Sequence, residues 1–253
     1  MKRSKRYGWK RDLPDFRDKP YMALSISLDQ LPEKIDISLP SMPILSQEDL
    51  GSCTANALSS AHLYEQHKQA KENPFQPSRL FIYYNERVLI GMEDEDSGAY
   101  IRDGIKTMVS EGVCREESWP YKTSRFRSKP DEECYKEALN YQILEYARLQ
   151  QSLYLMKCCL FSEHPFVFGF SVYESFETRE VVKTGIVPLP RKSESMLGGH
   201  AVWAVGYDNH TKYVKCRNSW GEGWGDKGCF YLPYEYISNP DLAADFWKIT
   251  LVE

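Results

Sequence analysis

The chain has 253 residues, a hydrophobic fraction of 42% and an aromatic fraction of 13%. That is enough apolar material for one large core or two smaller ones. The formal net charge of −4 carries no nucleic-acid footprint, and no stretch approaches the roughly 18 consecutive apolar residues of a membrane span.

Residues 1–30 are rich in charge and carry Pro14 and Pro20. A frayed terminus is the ordinary reading of such a segment. Yet Tyr7, Trp9, Phe16 and Tyr21 are more aromatic residues than a solvated tail holds. The basic start lacks the apolar core of a secretory leader. With seven cysteines, an odd number, this points to synthesis in the cytosol with reduced thiols, leaderless export staying open. No Cys-x-x-Cys pair is present, so no structural zinc site is expected.

Pro32, Pro40 and Pro43 read as extended chain. The run SQEDLGSCTANALSS, Ser46 to Ser60, then reads as a loop feeding a helix, with Ser52 as its N-cap and the helix running to about Ala70. A second helix opens at Pro77-Ser78 and runs to about Ile90, with apolar residues at a period near 3.6. Met92 to Ser97 is acidic and reads as a solvated turn or a border of a groove. A third helix spans roughly Tyr100 to Glu111 and stops at Gly112. Leu149 to Leu160 suggests a further helix. Phe166 to Val172, Val181 to Pro190 (strand and turn), His200 to Tyr207, Tyr213 to Arg217 and Cys229 to Leu232 read as strands. Helices early and strands late predict an α+β chain of two unlike lobes with a site between them. The helix-rich lobe covers about 45–135, the strand-rich lobe about 140–235, and a C-terminal segment returns to the cleft.

Cys53 sits where a helix begins. Unpaired N–H groups and the helix dipole there favour an anion, which biases a thiol toward thiolate. Alone it reads as one buried cysteine among seven. The downstream stretches GGHAV around His200 and RNSWG around Asn218 change that, because cysteine, histidine and asparagine then follow in the order of a Cys-His-Asn nucleophilic site. The rival bases are His164, before Pro165, and His210, in a polar turn. His62 and His67 lie too far along the first helix and read as packing or surface residues.

Gln47…Gly51-Ser52-Cys53, Gly199-His200-Ala201-Val202 and Asn218-Ser219-Trp220-Gly221 resemble, in order, the three blocks of the papain-family cysteine peptidases. Ser97-Gly98 through Gly112-Val113 to Trp119-Pro120-Tyr121 is similar to a fourth block, so the likeness runs from about Leu31 to the C-terminus. Leu50 and Thr54 stand where the plant and lysosomal members carry Cys and Trp or Tyr, and the pattern looks more like the bacterial and large-virus branch. Asn218 lies beyond the usual spacing of roughly 130–150 residues from the cysteine, which inserted loops would explain.

The resemblance implies a papain-like two-lobed fold, with a β-barrel-like second lobe, and a peptidase domain over 31–253. It implies Cys53 as nucleophile, His200 as base and acid, Asn218 as its orienter and Gln47 as an oxyanion donor. Ser97, Gly98, Gly199 and Trp220 would line the substrate site. The expected activity is that of an endopeptidase working through an acyl-thioester on peptide or protein substrates, as a monomer, with no metal or organic cofactor and no membrane or nucleic-acid partner. Residues 1–30 are expected to form a short inhibitory arm near the groove, as in a zymogen. The rival reading is a papain-fold binding or inhibitory module with a silent site. Asp245, Phe246 and Trp247 are expected near the pocket that sets side-chain preference, an available Asp245 favouring basic residues.

Overall fold

The computed structural model describes residues 7–22 and 26–253 of the chain; residues 1–6 and 23–25 of the expected arm lie outside the described residues. Two short strands come first, β1 (Trp9–Lys10) and β2 (Lys34–Asp36). Then follow α1 (Cys53–Lys68), α2 (Arg79–Val88), β3 (Ala99–Tyr100), α3 (Ile101–Ser110) and α4 (Glu132–Ala138). The second half alternates β4 (Ile143–Arg148), α5 (Leu153–Phe161), β5 (Phe166–Tyr173), α6 (Arg179–Thr184) and β6 (Met196–Asp208). It ends with β7 (Tyr213–Arg217), β8 (Cys229–Pro233), α7 (Tyr234–Ser238) and β9 (Ala243–Val252).

One antiparallel sheet runs β4-β9-β5-β6-β7-β8, with β2 added on β6. The ends β4 and β8 do not pair with each other, so the path stays open. Both faces of its centre are covered, which is why the two long apolar runs show no polar alternation. Phe166, Phe168 and Phe170 of β5 join Val202 and Ala204 of β6 in a core with α5, α6 and α7. Val167, Ala201, Trp203 and Val205 point the other way, into a core with α1 and α3. The two periods of a strand thus feed two lobes at once.

α1 is buried along nearly its whole length, from Cys53 to Gln66. Ala55, Ala57 and Ala61 let its neighbours approach closely. Its polar side chains are partnered rather than solvated, as burial demands. Ser59 Oγ donates to Pro77 O at 2.7 Å, and Ser60 Oγ donates to Asn56 O at 2.9 Å. Ser52 is the residue before α1, but its side chain makes no cap bond to a backbone N–H. Its Oγ instead meets Tyr121 Oη at 2.6 Å and accepts from Asn56 Nδ2 at 3.1 Å. The expected side-chain cap is therefore replaced by a tie between the loop and the Tyr121 turn.

Two other expectations change. Val181 to Pro190 is not a strand: its first part is α6, started by Thr178, whose Oγ1 accepts from Val181 N, and ended by Gly185 in the left-handed region. Met92 to Ser97 is not simply a solvated turn. Asp96 Oδ1 accepts from Gly51 N at 2.9 Å and from the Tyr83 hydroxyl, fixing the loop just before α1.

Candidate active site

Cys53 is the first residue of α1 and has no exposed surface. It shares a buried cluster with Ala201, next to His200, so α1 and β6 bring the two blocks together. Backbone groups of Ala201, Gly8 and Thr54 hydrogen-bond to its thiol, which favours the thiolate, but burial outweighs them and pushes the thiol up to about 11. The expected thiolate bias is therefore opposed here by burial of the sulfur. Beneath the cysteine, Thr54 Oγ1 donates to the fully buried Glu86 Oε2 at 2.8 Å. Burial raises the Glu86 carboxyl well above its ordinary range.

His200 lies in β6 and is wholly buried. Its Nε2 is 2.8 Å from Asn218 Oδ1. The same Oδ1 accepts from Ser219 N at 2.8 Å, which fixes the orientation of the amide. An oxygen faces the ring, so Nε2 carries the proton and donates. Asn218 N donates to Gly228 O, anchoring the loop after β7. Trp220 lies over the imidazole, with ring centroids 4.8 Å apart and planes at 26°, and Trp224 meets Trp220 edge-on at 5.0 Å. This indole layer covers the His200–Asn218 contact.

Gln47 is buried and held at three points. Its Nε2 donates to Leu50 O at 2.8 Å, its Oε1 accepts from Ser219 Oγ at 2.8 Å, and its N donates to Ser219 O at 2.8 Å. Tyr121, which closes the fourth family-like block, donates through its Oη to Gln47 O at 2.9 Å. Ser219, next to Asn218, and Leu50, three residues before Cys53, thus fix the same side-chain amide.

Gly98 and Gly199 do not line an open groove, because the N-terminal arm lies on them, and Ser97 is half-buried next to Gly98. β1 pairs in parallel with β3, and Ala99 N donates to Gly8 O at 2.8 Å. A Cβ on Gly98, which sits at φ +70°, would come within 2.2 Å of Gly8 O. A Cβ on Gly8 itself would come within 1.7 Å of Gly51 O. Only glycine allows the two chains to touch at these points. Ser97 Oγ donates to Gly98 O at 2.9 Å. The Trp9 carbonyl covers Gly199 and the Trp9 indole lies against Gly169. Tyr7 donates to Glu177 and packs edge-on against Trp220.

Asp245 is not an open pocket charge. It is buried in a kink of β9 with φ +58°, and its Oδ2 accepts from Trp9 Nε1 at 3.2 Å and Asp12 N at 2.7 Å. Of the rival bases, His164 pairs with Glu65 near the far end of α1, and His210 N donates to Asp208 Oδ1 in a turn. His62 is a packing residue. The seven cysteines are all free and buried. Asp96, Tyr121 and Glu86 were not singled out from the sequence for this site. The signal for the first two is that Asp96 directly precedes the fourth block and Tyr121 closes it.

Residues 31–243 match the family described as papain family cysteine protease. The chain is 42% identical over 270 residues to an uncharacterized peptidase C1-like protein of Acanthamoeba polyphaga mimivirus, covering 97% of this chain and 87% of that one. Xylellain, a cysteine protease from Xylella fastidiosa, superposes with a TM-score of 0.94 at 44% identity, over 100% of this chain and 99% of that one. The proCathepsin B S9 of Trypanosoma congolense shares the fold, with a TM-score of 0.74 at 19% identity over 97% and 87% of the two chains. The fold is thus papain-like, and the chain belongs to the papain family of cysteine proteases.

Proposed function

We propose that this chain is an endopeptidase whose chemistry is carried by Cys53, His200, Asn218 and Gln47, and that its N-terminal arm masks the site until it is displaced. The observation that carries the reading is the Asn218 Oδ1–His200 Nε2 bond beside a cysteine that opens a helix. Asn218 holds the ring through Nε2, so Nδ1 is the nitrogen that exchanges protons with the sulfur. In the open enzyme the thiolate attacks the scissile carbonyl. The resulting oxyanion accepts from Gln47 Nε2 and from the Cys53 N–H, one of the first-turn donors with no acceptor inside the helix. The C–N bond then breaks, and the imidazolium protonates the leaving amine. Water loses a proton to the imidazole, attacks the thioester and frees the acid, restoring the thiol.

One observation favours the silent-module reading, the thiol pushed up to about 11. Burial of the thiol accounts for it, and in this reading displacing the arm opens the sulfur to solvent. The discriminating test is intact mass after exposure to an epoxysuccinyl thiol-protease inhibitor. The wild-type chain, Trp9→Ala and Cys53→Ala are compared. A single adduct that is faster on Trp9→Ala and absent from Cys53→Ala is expected. No Cys53-dependent adduct on either of the first two would favour the silent module.

A further inference from the structure

Two of the seven thiols meet in a third buried cluster. Cys114 and Cys134 share it with Leu50, Leu80, Phe81, Trp119 and Ala138. Their approach follows from the backbone. A Cβ on Gly112, which sits at φ +75°, would come within 1.8 Å of Ala138 O, so the chain after α3 lies directly on the end of α4. Val113 N donates to Tyr141 O at 3.1 Å and holds it there. Cys134 stands one turn before Ala138 on the same face of α4, about 6 Å along the helix. Cys114 stands two residues after Gly112, about 6–7 Å along extended chain. The two steps match, and the thiols hydrogen-bond to each other. Cys134 Sγ also lies 3.8 Å from Ser118 O, and Ser78 N donates to Cys114 O at 2.8 Å, so both cysteines are held in place. The other neighbouring cysteines are differently arranged. Cys158 and Cys159 are successive residues of α5 and point apart. Cys216 pairs with Phe230 and Arg217 with Cys229, which turns Cys216 and Cys229 to opposite faces of the sheet.

We propose that Cys114 and Cys134 close a reversible disulfide when the chain meets a small disulfide oxidant such as oxidised glutathione, and that this bond staples segment 112–121 to α4. Cys134, slightly exposed where Cys114 is not, loses its proton and attacks the oxidant, forming a mixed disulfide and releasing one glutathione thiolate. Cys114 then loses its proton and attacks the Cys134 sulfur, releasing the second glutathione thiolate. The two protons go to the two leaving thiolates. Two cysteine thiols are thus oxidised and one glutathione disulfide is reduced. Burial raises both thiols, so little thiolate stands ready and the bond closes slowly. The closed loop of about 20 residues contains Trp119, whose O accepts from Ser78 Oγ at 2.7 Å. It also contains Tyr121, whose Oη meets Ser52 Oγ and donates to Gln47 O. The staple therefore acts on the segment that supports the loop leading into Cys53. By restricting the unfolded chain it should raise the melting temperature by about 6–13 °C.

The inference stands apart from the peptidase reading, so it is tested in the full chain carrying Cys53→Ala, where activity plays no part. The reduced, folded chain is held for hours with oxidised glutathione at about pH 8, where thiolate begins to form. Remaining thiols are then alkylated, and peptides are mapped by mass without reduction. A peptide pair joining Cys114 to Cys134, released by dithiothreitol, is expected. The linked chain should melt about 6–13 °C above the reduced one. Cys114→Ser and Cys134→Ser, each added to the parent, should abolish both the linked pair and the rise. Alkylation of both thiols after oxidation would overturn the proposal, and so would glutathione adducts on either thiol without the linked pair. A linked chain that melts no higher than the reduced one would overturn the staple. If a serine variant does not fold, the parent decides, since linkage and melting are both read in it.

Discussion

Tyr7 and His200 meet edge to face, their ring centroids 6.3 Å apart and their planes at 78°. One is an arm residue and the other the histidine of the family motif. The contact continues through Gly8 on Cys53 and Trp9 on Gly199, so three successive arm residues cover three parts of the site. Masking is thus distributed over a short segment, and much of its holding energy sits in one side chain.

That side chain is Trp9. Its indole lies against Gly169 and donates to Asp245, and it is only partly buried. Replacing it with Ala removes about 2 kcal/mol of apolar burial, or about a 30-fold shift toward the undocked arm. Trp9→Ala should react with the epoxysuccinyl inhibitor about 30 times faster at fixed pH. An unchanged rate would mean that the arm does not limit access to Cys53.

In the proposed mechanism Asn218 acts through orientation. Its Oδ1 accepts from both His200 Nε2 and Ser219 N, so Asn218→Ala leaves a buried ring N–H without its acceptor. A loss of about 1–3 kcal/mol follows. It should appear as a fall of about 10–100-fold in kcat with KM little changed. A rise in KM alone would place Asn218 in binding instead.

Gln47 differs because it would touch the reacting oxygen. Gln47→Ala should lower kcat by about 10²–10³. Ser219→Ala separates position from chemistry. It removes only the Oγ donor to Gln47 Oε1, while the bond from Gln47 N to Ser219 O remains. A loss of only a few-fold, about 1 kcal/mol, is expected. Equal losses in the two variants would show that the Gln47 amide works only as a strut.

The parts of this site that the sequence made legible are those fixed by local chemistry. A turn followed by small residues marked the start of α1 at Cys53, and Pro77-Ser78 marked α2, where Ser78 Oγ accepts from Phe81 N. The apolar runs of β5 and β6 marked strands. What escaped were contacts between distant segments. Val181 and Val182 favoured a strand by β-branching, and the flanking cap at Thr178 and the left-handed Gly185 outweighed that propensity. Ser52 was read as a cap because nothing in its neighbourhood foretells Tyr121, 69 residues away. Asp245 was read as an available charge for the same reason, since its partners Trp9 and Asp12 lie more than 200 residues upstream. The aromatic content of the arm was the one local sign that it packs.

Asp96 shows how such a distant contact supports the site. Its carboxylate accepts from Gly51 N and the Tyr83 hydroxyl, holding the loop that leads into Cys53. Asp96→Ala strands a partly buried backbone donor and a buried phenol, at about 1–2 kcal/mol each. The melting temperature should drop by about 4–16 °C. A drop of less than a degree would mean that water replaces the carboxylate without loss.

Acid should destabilise the fold through a buried histidine. His62 is wholly buried in α1, and burial lowers it to about 3. Its Nδ1 accepts from Gln66 Nε2 at 2.9 Å, which also donates to Phe75 O, so the ring is held neutral by a fixed donor. In the unfolded chain the ring takes a proton near its ordinary value of about 6.5. The stabilisation is therefore fully present above about 6.5 and is lost progressively as pH falls toward 3. Between pH 7 and pH 5 this single residue should cost about 2 kcal/mol of unfolding free energy. Urea unfolding of the Cys53→Ala chain at the two pH values measures it, and His62→Gln should remove that increment while lowering stability at pH 7. If the two chains lose equal stability on acidification, the acid sensitivity belongs elsewhere, with His164 as the next group to test, because burial lowers it to about 3 as well.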